Sequence, residues 1–216
     1  MPKKQVFVAK GSSPWYHSTW IDMIEPSHVI NTDNSVSGQA TVTCEGLNYM
    51  GSMFCNCYNL TALDLSNFDT SSVTDMSALF FYCDNLTVLD LSVFDTSNVE
   101  DMSNMFANCD NLTTLDVSSF DTSNVKDMHS MFFYCSNLTE LDLSNFNTSN
   151  VTDMDSMFYN CSNLTTIKGI IDMKSCEDCG NMFENCPNLS GVKIKNPPSD
   201  FEAISGLSKS QYTVVS

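Results

Sequence analysis

Residues 85–110 read NLTVLDLSVFDTSNVEDMSNMFANCD, and this stretch returns with small changes along most of the chain. Its first leucine recurs every 26 residues, with the last copy one residue early, at Leu60, Leu86, Leu112, Leu138, Leu164 and Leu189. A fixed period of this length is typical of a solenoid, because one repeat cannot bury its apolar face without neighbours. We therefore expect about six repeats over residues 37–195, an N-terminal cap over residues 1–36 and a C-terminal cap over residues 196–216.

The leucine half of each repeat alternates apolar and polar residues. Leu63 and Leu65 alternate with Asp64 and Ser66, which is the period of a half-buried strand. Stacked copies predict a parallel sheet. Its inner column is Leu63, Leu89, Leu115, Leu141 and Ile167, and its outer column is Asp64, Asp90, Asp116 and Asp142.

The second half of each repeat has a different period. Val73, Met76, Phe80 and Cys83 follow the spacing of one stripe of a helix. The preceding Asp-Thr-Ser segments have turn and N-cap chemistry, and residues 97–100 fit a capping box. Each repeat is therefore predicted to contain a strand, a turn and a short helix.

The pattern Leu-Thr-x-Leu-Asp-Leu-Ser-x-Phe-Asp-Thr-Ser-Asn-Val-x-Asp-Met-x-x-Met-Phe-x-x-Cys resembles the BspA-like leucine-rich repeats of bacterial surface proteins. The resemblance implies an α/β solenoid, a right-handed coil with a parallel β-sheet on one face and short helices on the other, capped at both ends. It also implies a role in surface attachment. The chain departs from common leucine-rich repeats at four phenylalanines, which stand where those repeats have a ladder asparagine: Phe68, Phe94, Phe120 and Phe146. Asparagines just before the repeat leucine are expected to supply an equivalent buried ladder instead: Asn85, Asn111, Asn137 and Asn163.

The two ends of the chain do not follow the period. Trp15 and Trp20 suit a lid over the first repeat, with a Trp-lined sugar or peptide subsite as the alternative. Residues 199–202 form a capping-box pattern that predicts a helix from Phe201 to about Leu207 over the last repeat. We expect neither a signal peptide nor an anchor in this chain.

The charge of the chain is strongly negative. The sequence has 26 Asp plus Glu against nine Lys and no Arg, a net charge of −17. Such a surface repels phosphate backbones and anionic lipids, so we expect neither nucleic-acid binding nor docking on anionic membranes. No run approaches 18 apolar residues, so we expect no membrane insertion. Cationic partners, divalent metals and neutral glycans remain compatible with it.

Six of the ten cysteines form one column on the predicted buried stripe: Cys57, Cys83, Cys109, Cys135, Cys161 and Cys186. A single column favours buried free thiols over a disulfide framework. Cys176 and Cys179 replace apolar residues of the preceding repeat and are interpreted as core substitutions, with a metal site or a disulfide as the alternative. Cys44 and Cys55 could pair near the N-terminal lid.

The outward columns are the candidates for ligand binding, because solenoids recognise partners with an extended surface. The aspartate column Asp64, Asp90, Asp116 and Asp142 is either a solvated acidic face or a strip for a cationic ligand or Ca²⁺. The neighbouring column varies most between repeats and includes Val88, Thr114 and Glu140. In the second half, Tyr82, Phe133 and Tyr134 are expected to form an exposed aromatic patch for a partner or for self-association, or simply to lie along a helix flank.

No catalytic motif is recognisable. The three histidines are His17, His28 and His129, and His129 occupies a column otherwise filled by Ser77, Ser103 and Asp155. We therefore expect no enzyme activity and no cofactor. The hypothesis is a non-enzymatic adhesion or protein-interaction solenoid, secreted or on the cell surface, that binds a protein or glycan. The alternative is a structural or receptor-binding part of a larger assembly, such as a phage or secretion fibre tip. The oligomeric state is left open.

Overall fold

The computed structural model describes residues 48–58, 60, 61, 63, 65, 66 and 68–216. The segment predicted as an N-terminal cap lies outside these residues, as do Cys44 and Asp64. The described chain is a stack of rungs joined by backbone hydrogen bonds between residues about one repeat apart. For example, the N–H of Met76 donates to the carbonyl of Asp101 at 2.9 Å. The fold is therefore a solenoid-like repeat array.

The leucine half of each rung is extended, but it forms a regular ladder only late in the described chain. Strands β1 (Glu140–Asp142) and β2 (Thr166–Lys168) pair in parallel, with Asp142 beside Lys168. Earlier rungs keep the predicted alternation without becoming strands: Leu89 and Leu91 are buried and Asp90 is exposed. The predicted sheet is therefore formed only in part in the described residues.

The second half of each rung is not helical, so the predicted short helices are wrong in the described residues 48–200. Ala78 and Tyr82 have φ values of 53° and 58°, and equivalent positions repeat this in every described rung. A left-handed residue at every fourth position prevents an α-helix. Instead, N–H groups alternate in direction: Phe80 donates to Met105 of the next rung, and Phe81 donates to Ala78 three residues back.

The stripe predicted to be buried is nevertheless the core. Val73, Met76, Phe80 and Cys83 are 0% exposed. Phenylalanine rings of successive rungs stack in a continuous column with centroids 5.3–5.7 Å apart. That column consists of Phe54, Phe80, Phe106, Phe132, Phe158 and Phe183. One residue type therefore packs on itself from rung to rung.

Polar ladders join the rungs. The predicted asparagine ladder exists but is exposed rather than buried: Asn85 Nδ2 donates to the carbonyl of Tyr58 at 2.6 Å, and Asn137 Nδ2 donates to that of Asp110 at 2.8 Å. The buried polar ladder is made by threonines of the segments that read Asp-Thr-Ser or Asn-Thr-Ser, for which the sequence pattern predicts only turns. These are Thr70, Thr96, Thr122 and Thr148, each at most 2% exposed.

The cysteine column agrees with the prediction of buried free thiols from Cys83 onward, while Cys57 is only half-buried. Each buried Sγ donates to a phenylalanine carbonyl of the preceding rung, as Cys135 does to Phe106 at 3.2 Å. Cys179 is buried and Cys176 packs against the same core, and both are free, as expected for core substitutions. Cys55 is a half-buried free thiol.

The C-terminal residues continue the stack. Strands β3 (Ile171–Asp172), β4 (Val192–Lys195) and β5 (Tyr212–Val215) form a parallel sheet in that order. Strand β5 was not predicted from the sequence. Between β4 and β5 lies α1 (Phe201–Ile204), whose carbonyl at Ile204 accepts the N–H of Asn181 at 2.6 Å.

Helix α1 is shorter than predicted and starts differently. Its N-cap is Asp200 and makes no side-chain cap hydrogen bond, so the predicted capping box is wrong. The helix ends before Leu207 because Gly206 has a φ of 81° and turns the chain away. A Cβ at Gly206 would lie 2.6 Å from the backbone nitrogen of Glu184, so this approach requires glycine. In the described part of the chain, no helix has the length and apolar character needed to cross a membrane.

Candidate functional site

The acidic strip predicted from the sequence lies on the surface of the leucine half. We use this name for Asp90, Asp116 and Asp142 together with their neighbours Val88, Thr114 and Glu140, all of which are exposed. Val88 is 67% exposed. The strip therefore combines regularly spaced carboxylates with side chains that change from rung to rung.

Each carboxylate of the strip is held in a fixed turn. Oδ1 of Asp90, Asp116 and Asp142 accepts the backbone N–H of the serine two residues later, at 3.0, 2.9 and 3.0 Å. Hydrogen bonds from the serine side chain and backbone lower the pKa of all three aspartates. The strip is consequently ionised and pre-oriented at neutral pH.

The strip ends at a basic residue. Lys168 Nζ lies 3.9 Å from a carboxylate oxygen of Glu140 and 3.9 Å from one of Asp142. All three side chains are more than half exposed, so these contacts add little stability. Their consequence is positional: Lys168 offsets negative charge at the Glu140 and Asp142 end of the strip.

A second surface, the aromatic patch, lies on the turn half of the rungs. It consists of Phe81, Tyr82, Phe133, Tyr134 and Tyr159. Tyr82 and Tyr134 are 38% and 37% exposed, as expected from the sequence. Phe133 stacks on Tyr159 with centroids 5.1 Å apart and contacts Tyr134 at 4.7 Å. The structure therefore brings rings of neighbouring rungs into contact.

The tyrosines of this patch occupy strained backbone positions. Tyr82 and Tyr134 have φ values of 58° and 56°. Asparagine fills the same column in the other described rungs, at Asn56, Asn108, Asn160 and Asn185. Asparagine tolerates the left-handed region, whereas a bulky residue there is a genuine outlier. The array thus places tyrosine where stability alone favours asparagine.

A third feature, the aspartate ladder, was not recognised from the sequence. It consists of Asp75, Asp101, Asp127, Asp153 and Asp178, which form successive parallel bridges. Each Oδ1 accepts the N–H of the residue two positions later, as at Ser103 with 2.8 Å. Partial burial raises the pKa of Asp101 and Asp153, and neighbouring ladder carboxylates raise it further. The sequence signal was an aspartate that recurs every 25 or 26 residues from Asp75 to Asp178, and this pattern also suits a turn residue.

His129 is the only histidine in the described part of the chain, and it lies beside this ladder. Its Nδ1 lies 2.8 Å from Oδ1 of Asp127, and its Nε2 lies 2.8 Å from Nδ2 of Asn104. The hydrogen bond with Asp127 raises the pKa of His129, against a smaller opposing effect of burial. Burial would raise the pKa of Asp127, but the hydrogen bonds from His129 hold it below the usual value.

The same residues form a group that could hold a metal ion. Ligand atoms of Asp127, His129 and Asp153 lie within 4.8 Å of one another. Imidazole nitrogen combined with carboxylate oxygen suits a first-row transition metal better than Ca²⁺. This grouping was not predicted from the sequence, because the proximity of His129 to Asp153 depends on how neighbouring rungs pack. The hydrogen bonds to Asp127 and Asn104 account for the arrangement without an ion.

Comparisons with known proteins give a family and one structural likeness. A family model described as "Mycoplasma protein of unknown function, DUF285" matches residues 32–114 and 81–196. A search of curated proteins finds no match. Among solved structures, the chain is similar to a leucine-rich-repeat protein of T. pallidum with a TM-score of 0.44 and 16% identity. That similarity covers 69% of this chain and 77% of the other.

Proposed function

Because the chain belongs to the DUF285 family, whose description names no activity, we propose its function from its own geometry. We propose that it is a non-enzymatic interaction array that attaches to a protein or glycan on a host, matrix or microbial surface. The acidic strip is the proposed contact surface. The resemblance of the repeats to those of bacterial surface proteins supports a location on the cell surface or outside the cell.

One observation carries this proposal. The exposed columns of successive rungs run in register, so that Glu140 stands beside Thr166 and Asp142 beside Lys168. Carboxylates recur in one column while their neighbours change through Val88, Thr114 and Glu140. A fixed scaffold that presents changing side chains along an extended surface is the arrangement by which repeat proteins recognise partners.

Binding, rather than catalysis, fits the chemistry of the strip. The carboxylates of Asp90 and Asp116 are exposed, and their pKa is lowered by hydrogen bonds, so they lack the raised pKa of a general acid. Ionised, pre-oriented carboxylates instead attract cationic groups and accept hydrogen bonds from hydroxyls. We propose that no cofactor is needed, so binding should persist in EDTA.

The experiment begins with a screen of the whole chain against immobilised matrix proteins and glycans. For each ligand found, Asp90 and Asp116 are changed together to Lys, a residue that the same column already contains at Lys168. We expect binding to be lost, with a melting temperature that falls no more than in the control below, whose aspartates also accept a serine N–H. A matched control changes Asp95 and Asp121 to Lys, which alters net charge equally but lies outside the strip.

Unchanged binding by the strip variant would refute the role of these aspartates. Equal loss in the control variant would mean that net charge, and not the strip, attracts the ligand. Location is tested separately by surface labelling of intact cells that make the native protein. Protein protected from a membrane-impermeant label would contradict the surface role.

A further inference from the structure

Two aspartates lie beside the aromatic patch, in the loop that follows the tyrosine column. Asp84 follows Tyr82 by two residues, and Asp110 is its counterpart one rung on. Burial raises the pKa of Tyr58, and the negative charge of Asp84 raises it further. The ring of Tyr58 lies 6.2 Å from that of Tyr82. Ser136 Oγ donates to Asp110 Oδ1 at 3.4 Å. Tyr58 is therefore close to both the Tyr82 ring and the Asp84 carboxylate.

Asp84 is incompletely satisfied by the protein. Its Oδ1 is buried and has no hydrogen-bond partner in the described part of the chain. Burial raises the pKa of Asp84, and the negative charge of Asp110 raises it further. An acceptor that has lost its water and gained no donor is costly. The side chain as a whole is only partly buried, so a cation placed against its accessible part would favour the charged form of Asp84.

The tyrosines point to the same kind of partner. In their column, asparagine would relieve the left-handed strain at Tyr82 and Tyr134, so the rings are retained against a cost in stability. An exposed ring face beside a carboxylate attracts a cation through both groups. With a net charge of −17 and no Arg, the chain itself supplies few competing cations.

We propose that the surface formed by Tyr58, Tyr82, Asp84 and Asp110 binds a basic segment of a partner protein, with an Arg or Lys side chain held between the rings and the carboxylates. The inference deepens the proposed interaction function, but it uses residues outside the acidic strip. Tyr134, two rungs from Tyr82 in the same column, extends the contact to a second cationic side chain.

The test uses the whole chain and synthetic peptides of equal length in which glycine alternates with Arg, Lys or Glu. Isothermal titration calorimetry at low and at physiological salt measures their affinities. We expect the Arg and Lys peptides to bind and the Glu peptide not to bind. Tyr82→Asn and Asp84→Ser should each weaken binding roughly tenfold. Both substitutions introduce residues that the repeat already uses, at Asn108 and Ser136.

The controls separate specific binding from general attraction to an acidic protein. Asp121→Asn removes one negative charge elsewhere and copies Asn147 of the next rung, so binding should remain within about twofold of wild type. Tyr82→Asn should raise the melting temperature, so its loss of binding cannot be attributed to unfolding. Equal weakening by Asp121→Asn, or full binding by Tyr82→Asn and Asp84→Ser, would overturn the proposal.

Two further outcomes are decisive. Binding of neutral oligosaccharides that is lost in Tyr82→Asn, without peptide binding, would assign the surface to a glycan and overturn the proposal. If the Asp90 and Asp116 reversal abolishes attachment to every surface ligand yet leaves peptide binding intact, the two sites are independent. Failure of the wild-type chain to bind the Arg and Lys peptides would refute this inference while leaving the proposed role of the acidic strip in place.

Discussion

Thr96 and Asp121 exchange two hydrogen bonds across neighbouring rungs. The hydroxyl of Thr96 donates to the carbonyl of Asp121 at 2.9 Å. The N–H of Asp121 donates back to Oγ1 of Thr96 at 2.8 Å. Thr70 makes the same exchange with Asp95. The threonine is 1% exposed in both rungs, so its hydroxyl replaces water for a backbone donor and acceptor at the turn between the two halves.

Thr96→Val should therefore destabilise the protein. Valine keeps the shape but leaves the N–H and the carbonyl of Asp121 unpaired, at a cost of about 2–4 kcal/mol. Thr165→Val is the control, because Thr165 is exposed and water can replace its 2.9 Å bond to Thr139. The control should cost about 0.5 kcal/mol or less. Urea unfolding measures both, and equal costs would contradict a structural role for the buried threonines.

Ala78 provides a test of the left-handed positions. Its φ is 53°, so Ala78→Gly should raise the free energy of unfolding by about 1 kcal/mol by removing the steric cost of the Cβ. Ala107, which has no positive φ and is buried, is the control. Ala107→Gly should lower the free energy of unfolding by about 1 kcal/mol. Destabilisation of similar size by both substitutions would show that the turns do not favour glycine.

The sequence predicted which residues are buried better than how the backbone reaches them. Val73, Met76, Phe80 and Cys83 were expected on one stripe, and all are fully buried. Their spacing suits a helix, yet it also arises when a left-handed residue recurs at every fourth position. Periodicity alone cannot separate the two, because periods of 3.6 and 4 diverge little over so short a segment. Asparagines four residues apart, at Asn104 and Asn108, were the signal for turns.

The candidate surfaces were predictable to different degrees. Exposure of Asp90 and Tyr82 follows from alternation and register, so both were expected. Two other features depend on how one rung packs on the next. These are the closeness of His129 to Asp153 and the unpartnered oxygen of Asp84. Such distances are set by hydrogen bonds between residues about 25 positions apart, for which a repeat pattern gives the register but no geometry.

His129 should make stability depend on pH. Its pKa is raised in the folded protein by Asp127, with Asp153 and Asp101 acting in the same direction. A raised folded pKa means that the stabilisation is fully present below the unfolded value, about 6.5, and is lost as pH rises through the folded value. Asp127, whose pKa is lowered, stays ionised over this range.

His129→Ser, which restores the residue found at Ser77 and Ser103, should remove this dependence between about pH 5 and 9. The free energy of unfolding from urea titrations at several pH values gives the comparison. Wild type should lose stability relative to the variant as the pH rises across that window. A constant difference between the two proteins would mean that His129 titrates alike in the folded and unfolded chain.

The buried cysteine column should report opening of the array. Burial raises the pKa of Cys135 to about 12, and its Sγ donates a hydrogen bond to the carbonyl of Phe106. The thiolate is the reactive form, so iodoacetamide at pH 8 should leave Cys135 unmodified in the native protein and alkylate it in urea. Peptide mass spectrometry gives the extent at each cysteine. Cys109 and Cys161, buried in the same column, should be protected equally.

Because each of these thiols packs between neighbouring rungs, their labelling rates should rise together with urea if the rungs unfold as one unit. Faster labelling of Cys161 than of Cys109 in the absence of denaturant would instead show that the rungs open one at a time.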